Sequence, residues 1–275
     1  MDTTPNPSPA TVGVFDSGVG GLSVLRALHR LLPGVRLVYV ADSGHAPYGE
    51  RDEAYVVRRC ERITTFLRGQ GASLVVIACN TATAVAGQRL RQAHPDLRFV
   101  GVEPGVKPAL ALTRNGRIAV LATPGTLRSE KFQRLVEPYR GQATVHLQAC
   151  PGLAGALEAG DPQAPEVLAL VERYCAPLRE ADVDTVVLGC THYPFAEPPL
   201  RHALGPHVTL VDTAEAVARQ AARLLAELRG SLPPPGGPAR AFAYTTGHAD
   251  SLRRIVGEWL DFPVEVESPC PAALR

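Results

Sequence analysis

Short apolar runs without polar alternation recur along the chain, and stretches with helical spacing separate most of them. Residues 11–15, 36–41, 74–78, 99–102, 117–122, 145–149 and 185–188 read as strands, with helices over about 20–32, 81–94 and 213–229. A strand that is apolar on both faces must be covered on both faces, as in a parallel sheet flanked by helices. The pattern therefore predicts an α/β protein with mainly parallel sheets. Asp212-x-x-Glu215 looks like a capping box for the helix that follows it. Residues 230–240 (GSLPPPGGPAR) read as a mobile surface loop, after which Tyr244–Gly247 opens a last αβ unit ending near Asp261.

The pattern also repeats in halves. Val75-Val76-Ile77-Ala78-Cys79-Asn80-Thr81 is similar to Val186-Val187-Leu188-Gly189-Cys190-Thr191-His192, at an offset of 111 residues. The strand ending at Asp16-Ser17 matches the one ending at Thr123, at an offset of 106. Two near-equal offsets predict two pseudo-symmetric α/β lobes. The expected division is a disordered tail over 1–10, a first lobe from 11–102 plus 210–275, and a second lobe over 103–209. Ligands of open parallel sheets bind beyond the carboxyl ends of the strands. Cys79, Cys190, Asp16, Ser17 and Thr123 all fall there, which predicts a site in the cleft between the lobes.

Composition narrows the function class. The 275 residues are 45% hydrophobic and 20% charged, with 28 basic and 27 acidic side chains. A net charge of +1 without any basic stretch gives no reason to expect direct nucleic-acid binding. The polar, proline-rich opening MDTTPNPSPA has no apolar h-region, so no signal peptide is expected. The uncharged stretch 69–88 is better read as a buried strand entering a helix than as a membrane span. Six widely spaced cysteines without a CxxC pair suit reduced thiols in a cytoplasmic chain.

Four chemistries compete for these strand ends. Gly18-Val19-Gly20 after a strand, with Asp42 closing the next, superficially matches a dinucleotide fingerprint, but Ser23 stands where its third glycine belongs. The same glycines could simply permit a tight turn, or offer backbone N–H groups to a carboxylate. Cys79, Cys190 and His192 could be metal ligands, yet nothing near Cys79 supplies the second close pair of a structural zinc site. Cys190 with His192 could form a hydrolytic pair, which leaves Cys79 without a role. Alternatively, two thiols at equivalent strand ends could exchange protons with opposite faces of one carbon, provided a helix N-terminus lowers the pKa of each. Cys60, Cys150, Cys175 and Cys270 lack such settings and are assigned to packing or the surface.

Several segments carry a specific resemblance. They are Gly13-Val14-Phe15-Asp16-Ser17-Gly18-Val19-Gly20-Gly21-Leu22, Ala46-Pro47-Tyr48-Gly49, Ala78-Cys79-Asn80-Thr81-Ala82-Thr83, Val102-Glu103-Pro104-Gly105, Ala122-Thr123-Pro124-Gly125-Thr126 and Leu188-Gly189-Cys190-Thr191-His192-Tyr193-Pro194. Together with Val211–Glu215 and Tyr244–Gly247, they resemble the cofactor-independent aspartate/glutamate racemase family from about residue 12 to 261. The Cys-Thr-His ending is similar to the glutamate racemases, whereas an acidic residue commonly replaces that histidine in the aspartate racemases.

The resemblance implies a soluble enzyme that racemises glutamate without a cofactor or metal and supplies D-glutamate for peptidoglycan, as a homodimer. It implies Cys79 as the base for D-glutamate and Cys190 for L-glutamate, with Asp16 and His192 as their proton partners. Substrate contacts would come from Asp16, Ser17, Tyr48, Gly49, Asn80, Thr81, Thr123, Thr191 and His192. Glu158 aligns with an acid near the family site, in a segment, Gly152–Leu157, that is smaller than usual. Ser43–Ala46 is likewise smaller than the usual stretch before Pro-Tyr-Gly. An aspartate racemase, a nucleotide-binding oxidoreductase and a regulatory binding protein are the rival readings.

Overall fold

The computed structural model describes residues 10–139, 141–230 and 240–274. In chain order the first lobe opens with β1 (Thr11–Asp16), α1 (Leu22–Leu31), β2 (Arg36–Ala41), α2 (Glu53–Gly69), β3 (Leu74–Ile77), α3 (Asn80–Ala93) and β4 (Arg98–Gly101). The second is built from α4 (Val106–Leu112), β5 (Arg117–Ala122), α5 (Pro124–Arg128), α6 (Glu130–Val136), β6 (Thr144–Ala149), α7 (Leu153–Glu158), α8 (Pro165–Glu180), β7 (Thr185–Leu188), α9 (Glu197–Leu204) and β8 (Thr209–Val211). The chain then returns to the first sheet through α10 (Ala214–Arg229), β9 (Ala241–Thr245), α11 (Ala249–Trp259) and β10 (Val264–Val266).

Among the described residues every strand pairing is parallel. The first sheet runs β10-β9-β2-β1-β3-β4 and the second β6-β5-β7-β8. With β1 matched to β5 and β3 to β7, the second sheet has the order of the first sheet's β2-β1-β3-β4 portion. The repeat seen in the sequence is therefore a repeat of topology.

Double coverage explains the uniformly apolar strands. Val12, Val14, Leu74 and Val76 join one buried cluster with α1, α10 and α11, while Phe15, Val75 and Ile77 face a second cluster with α2 and α3. In the other sheet Ala119, Leu121, Val186 and Leu188 pack toward α7–α9, and Ile118, Val120 and Val187 toward α4–α6. Each buried Val, Leu or Ile is worth about 1.5–3 kcal/mol of transfer free energy, so an apolar face on either side of a strand contributes comparably.

Several sequence expectations change in detail. The short strands β8 and β10 were not foreseen; β8 pairs with β7, so the second sheet extends through Val211 rather than stopping at residue 209. Ala10 is buried, and its carbonyl accepts the Arg36 N–H at 2.8 Å, so it is part of the core rather than of a tail. The remainder of that expected tail, and residues 231–239 of the mobile loop expected over 230–240, lie outside the described residues. Gly230 is the C-cap of α10, and the Arg240 carbonyl accepts the Leu37 N–H at 2.8 Å. Asp212 accepts from the nearby Ala214 N–H at 3.1 Å, and Thr213 is the N-cap, so no reciprocal capping box forms. Residues 69–88 fold as β3 and the start of α3, and among the described residues no helix is long and apolar enough to cross a membrane.

Candidate active site

The carboxyl ends of β1, β3, β5 and β7 meet across the lobes. A cavity there is lined by Ser17, Tyr48, Gly49, Cys79, Asn80, Thr81, Thr123, Cys190, Thr191 and His192, with Pro47, Thr126, Ala154 and Gly189. Its volume is only about 10 Å³, the room of a single water centre. Both thiols are buried.

Cys79 is the N-cap of α3, and its sulfur accepts the Ala82 N–H at 3.4 Å. The thiol reaches Ser17 Oγ at 3.8 Å. A helix start was expected to lower the pKa of this thiol, and the Ala82 N–H does act in that direction. Burial and the neighbouring Asp16 charge outweigh it, so the Cys79 thiol is pushed up. Burial among its own lobe's packed side chains, beside Asp16, overrides the local helix field.

Cys190 stands in a bend after β7 and leads into a 3₁₀ turn (Tyr193–Ala196), so it caps no α-helix. Its sulfur is 3.7 Å from His192 Nδ1, and His192 Nε2 is 2.7 Å from Glu158 Oε2. Burial disfavours a charge on His192, but the hydrogen bonds and charges of Cys190 and Glu158 outweigh it and hold the imidazole well above its usual range. A protonated imidazole donates from both nitrogens, which suits its place between a sulfur and a carboxylate. Glu158, from the end of α7, is thus joined to His192 without lining the cavity itself; only its resemblance to a family acid suggested it.

Asp16 is wholly buried and accepts Ser17 N–H at 2.7 Å and the Thr191 hydroxyl, from the other lobe, at 3.0 Å. Burial raises its pKa; His192 works against this rise and Glu158 adds to it. The N-cap of α1 is Gly21, five residues beyond Asp16, so the Asp16 carboxylate is held by Ser17 and Thr191 and not by a helix end.

The glycine-rich loop serves close approach between the lobes. A Cβ on Gly18 would lie 2.0 Å from Glu158 Oε2, and one on Gly20 would lie 2.3 Å from His192 Nδ1. The loop does offer a backbone N–H to a carboxylate, but the carboxylate is the protein's own: Val19 N–H donates to Glu158 Oε2 at 2.9 Å. Nearby, Ser23 Oγ donates to the Thr191 carbonyl at 3.3 Å. Among the described residues no group of three or more His, Cys, Asp or Glu is arranged to hold a metal ion.

A hydroxyl cluster forms the other seam. Thr81 Oγ1 lies 3.1 Å from Thr123 Oγ1 and 3.2 Å from Thr126 Oγ1. Gly49 packs against Thr123, where a Cβ would approach to 2.7 Å. Thr126 was not singled out from the sequence; its signal was its position three residues after Thr123, whose side chain caps α5 through the Thr126 N–H. Asn80 Oδ1 is buried without a partner among the described residues, at the cavity edge.

Comparison with known proteins adds to this geometry. The family model described as Asp/Glu/hydantoin racemase matches residues 12–221. A glutamate racemase of Pseudomonas aeruginosa is 48% identical over 247 residues, spanning 90% of this chain and 92% of its own. A crystal structure of a glutamate racemase isoform from Bacillus anthracis superposes with TM-score 0.83 at 31% identity, covering 96% of this chain and 98% of that one. The Escherichia coli glutamate racemase, solved with L-glutamate and the activator UDP-MurNAc-Ala, gives TM-score 0.82 at 34% identity, covering 94% and 98%.

Proposed function

The chain belongs to the Asp/Glu/hydantoin racemase family, and we propose that it interconverts L- and D-glutamate by proton transfer between Cα and two cysteine thiols. The observation that carries this reading is the placement of Cys79 and Cys190 at equivalent strand ends of two similarly ordered sheets, lining one cavity.

In this reading Cys190 takes the α-proton of L-glutamate while Cys79 delivers one to the opposite face, and the roles reverse for D-glutamate. Atoms balance in each direction: one C–H bond breaks, one forms, and the thiols exchange protonation states. His192, held by Glu158, takes or returns the Cys190 proton, and Asp16 does the same beside Cys79. Ser17, Asn80, Thr81, Thr123 and Thr191, with the Tyr48–Gly49 segment, hold the carboxylates and ammonium.

An α-hydrogen is a weak acid and a thiolate a modest base, so the carbanion-like state must be stabilised by fixed dipoles in a water-excluded site. The burial of both thiols supports such a site. The cavity has room for about one water, so it must widen to admit glutamate and close for reaction. We place this activity in the cytoplasm, in a homodimer, as a source of D-glutamate for peptidoglycan.

Circular dichroism of L-glutamate in deuterated buffer, without added cofactor, tests the reading. Decay of the signal to zero with deuterium at Cα supports it. Racemisation of L-aspartate alone, run in parallel, transfers the mechanism to the aspartate reading. No change with either amino acid removes the proposal.

A further inference from the structure

Asp42, at the end of β2, is the acid that gave the sequence its dinucleotide-like appearance. It is wholly buried, and protein groups fill its hydrogen-bonding positions. Arg59 on α2 donates from Nη2 to Oδ1 at 2.7 Å and from Nε to Oδ2 at 2.9 Å. Thr246, after β9, donates its hydroxyl to Oδ1 at 2.9 Å, and the Tyr48 phenol donates to Oδ2. Four donors saturate a carboxylate, leaving nothing to receive a ribose hydroxyl.

The network extends in both directions. Arg59 Nη2 also donates to the Leu274 carbonyl at 2.6 Å, and the Leu274 side chain is buried in the cluster that contains Val56, Cys60 and Ile63 of α2. Thr246 Oγ1 accepts the Gly44 N–H at 3.1 Å. One charge pair therefore ties β2, α2, the turn after β9 and the end of the chain to the segment that carries Tyr48 and Gly49. That segment forms a wall of the candidate cavity, and Gly49 already touches Thr123 without room for a methyl group.

We propose that Asp42 and Arg59 are positioning residues for this wall: their buried pair fixes Tyr48, and through it the approach of Gly49 to Thr123, without touching substrate. A bidentate guanidinium–carboxylate fork sets orientation as well as distance, which an apolar contact cannot do. The kinetic part of the inference rests on the glutamate reading above; the structural part does not.

Arg59→Lys keeps the charge but loses the fork, and Tyr48→Phe removes only the phenol–carboxylate bond. Thermal midpoints, hydrogen exchange of the amides in the 44–49 segment (residues 44–46, 48 and 49, since Pro47 has none) and steady-state racemisation are measured for both variants and for the wild type. The expected result is exchange at residues 44–49 about ten-fold faster with the second lobe unchanged, and a KM for glutamate raised about five-fold in each variant. In Arg59→Lys the KM rises by a larger factor than kcat falls.

A lowered thermal midpoint with unchanged exchange at residues 44–49 and unchanged KM overturns the proposal, since the pair then supports the fold without holding the wall. If Arg59→Lys does not fold, exchange at residues 44–49 in Tyr48→Phe decides, since its KM also reflects Tyr48's own place at the substrate. A wild-type protein that does not racemise glutamate defeats the functional reading alone, and the exchange data still decide the positioning role.

Discussion

Gly20 and His192, from opposite lobes, meet so closely that a Cβ on the glycine would stand 2.3 Å from the imidazole Nδ1. The approach lets His192 sit between Cys190 and Glu158 while Val19 donates to the same Glu158 oxygen. Gly20→Ala therefore has to push the ring or the lobe aside. We expect a stability loss of about 1–3 kcal/mol, as for other overpacked sites. Activity should fall about 100-fold, because small displacements of reacting groups are costly. Thermal unfolding and steady-state kinetics on one preparation separate the two effects.

The raised pKa of His192 sets a second expectation. A histidine whose folded pKa lies above its ordinary 6.5 contributes stability that is fully present below that value and lost as pH rises through the folded one. Glu158→Gln removes one of the two groups that oppose the burial penalty. Its His192 should lose its proton at lower pH than in the wild type, and the alkaline limb of the D-to-L pH–rate profile, the direction in which Cys190 must deliver a proton, should move down accordingly. An unshifted limb would mean that Glu158 does not govern the protonation of His192.

A third expectation concerns acid stability away from the site. Burial tends to raise the pKa of Asp184, yet hydrogen bonds from Thr113, the Arg114 N–H, Thr185 and the Asn115 N–H bring it down to about 2 from an ordinary 3.8. A depressed carboxylate stabilises the fold above its unfolded pKa and loses that contribution as pH falls through the folded value. The loss should amount to about 2 kcal/mol between roughly pH 4 and pH 2. Asp184→Ala should flatten this part of a denaturation-against-pH curve; an equally steep curve would assign the acid sensitivity elsewhere.

Much of the architecture was legible because its determinants are local. Apolar runs marked β1, β3, β5 and β7, and each cysteine lies within two residues of its strand's end. The internal offsets foretold matching sheet order because duplicated strands keep their neighbours. Partnerships between distant segments were not legible. Nothing near Gly18 and Gly20 indicates that Glu158 and His192 will press against them, and Asp42 shows no sign of Arg59 one helix later. The direction of the Cys79 shift was misjudged for the same reason: its helix start is local, but its burial comes from the rest of the fold. β8 and β10, three residues each, are too short for periodicity to register.

The central claim is that each thiol serves one face of Cα. The most direct test uses the two enantiomers of a 3-chloroglutamate, in which loss of the α-proton expels chloride and ends in 2-oxoglutarate and ammonia without any need for a second base. Neither Cys79→Ser nor Cys190→Ser should racemise glutamate appreciably. Cys79→Ser should still release 2-oxoglutarate from the L-configured compound, and Cys190→Ser from the D-configured one, each losing the opposite reaction by about 100-fold or more. Equal residual elimination of both enantiomers by either variant, or full racemisation by one of them, would contradict the two-thiol account.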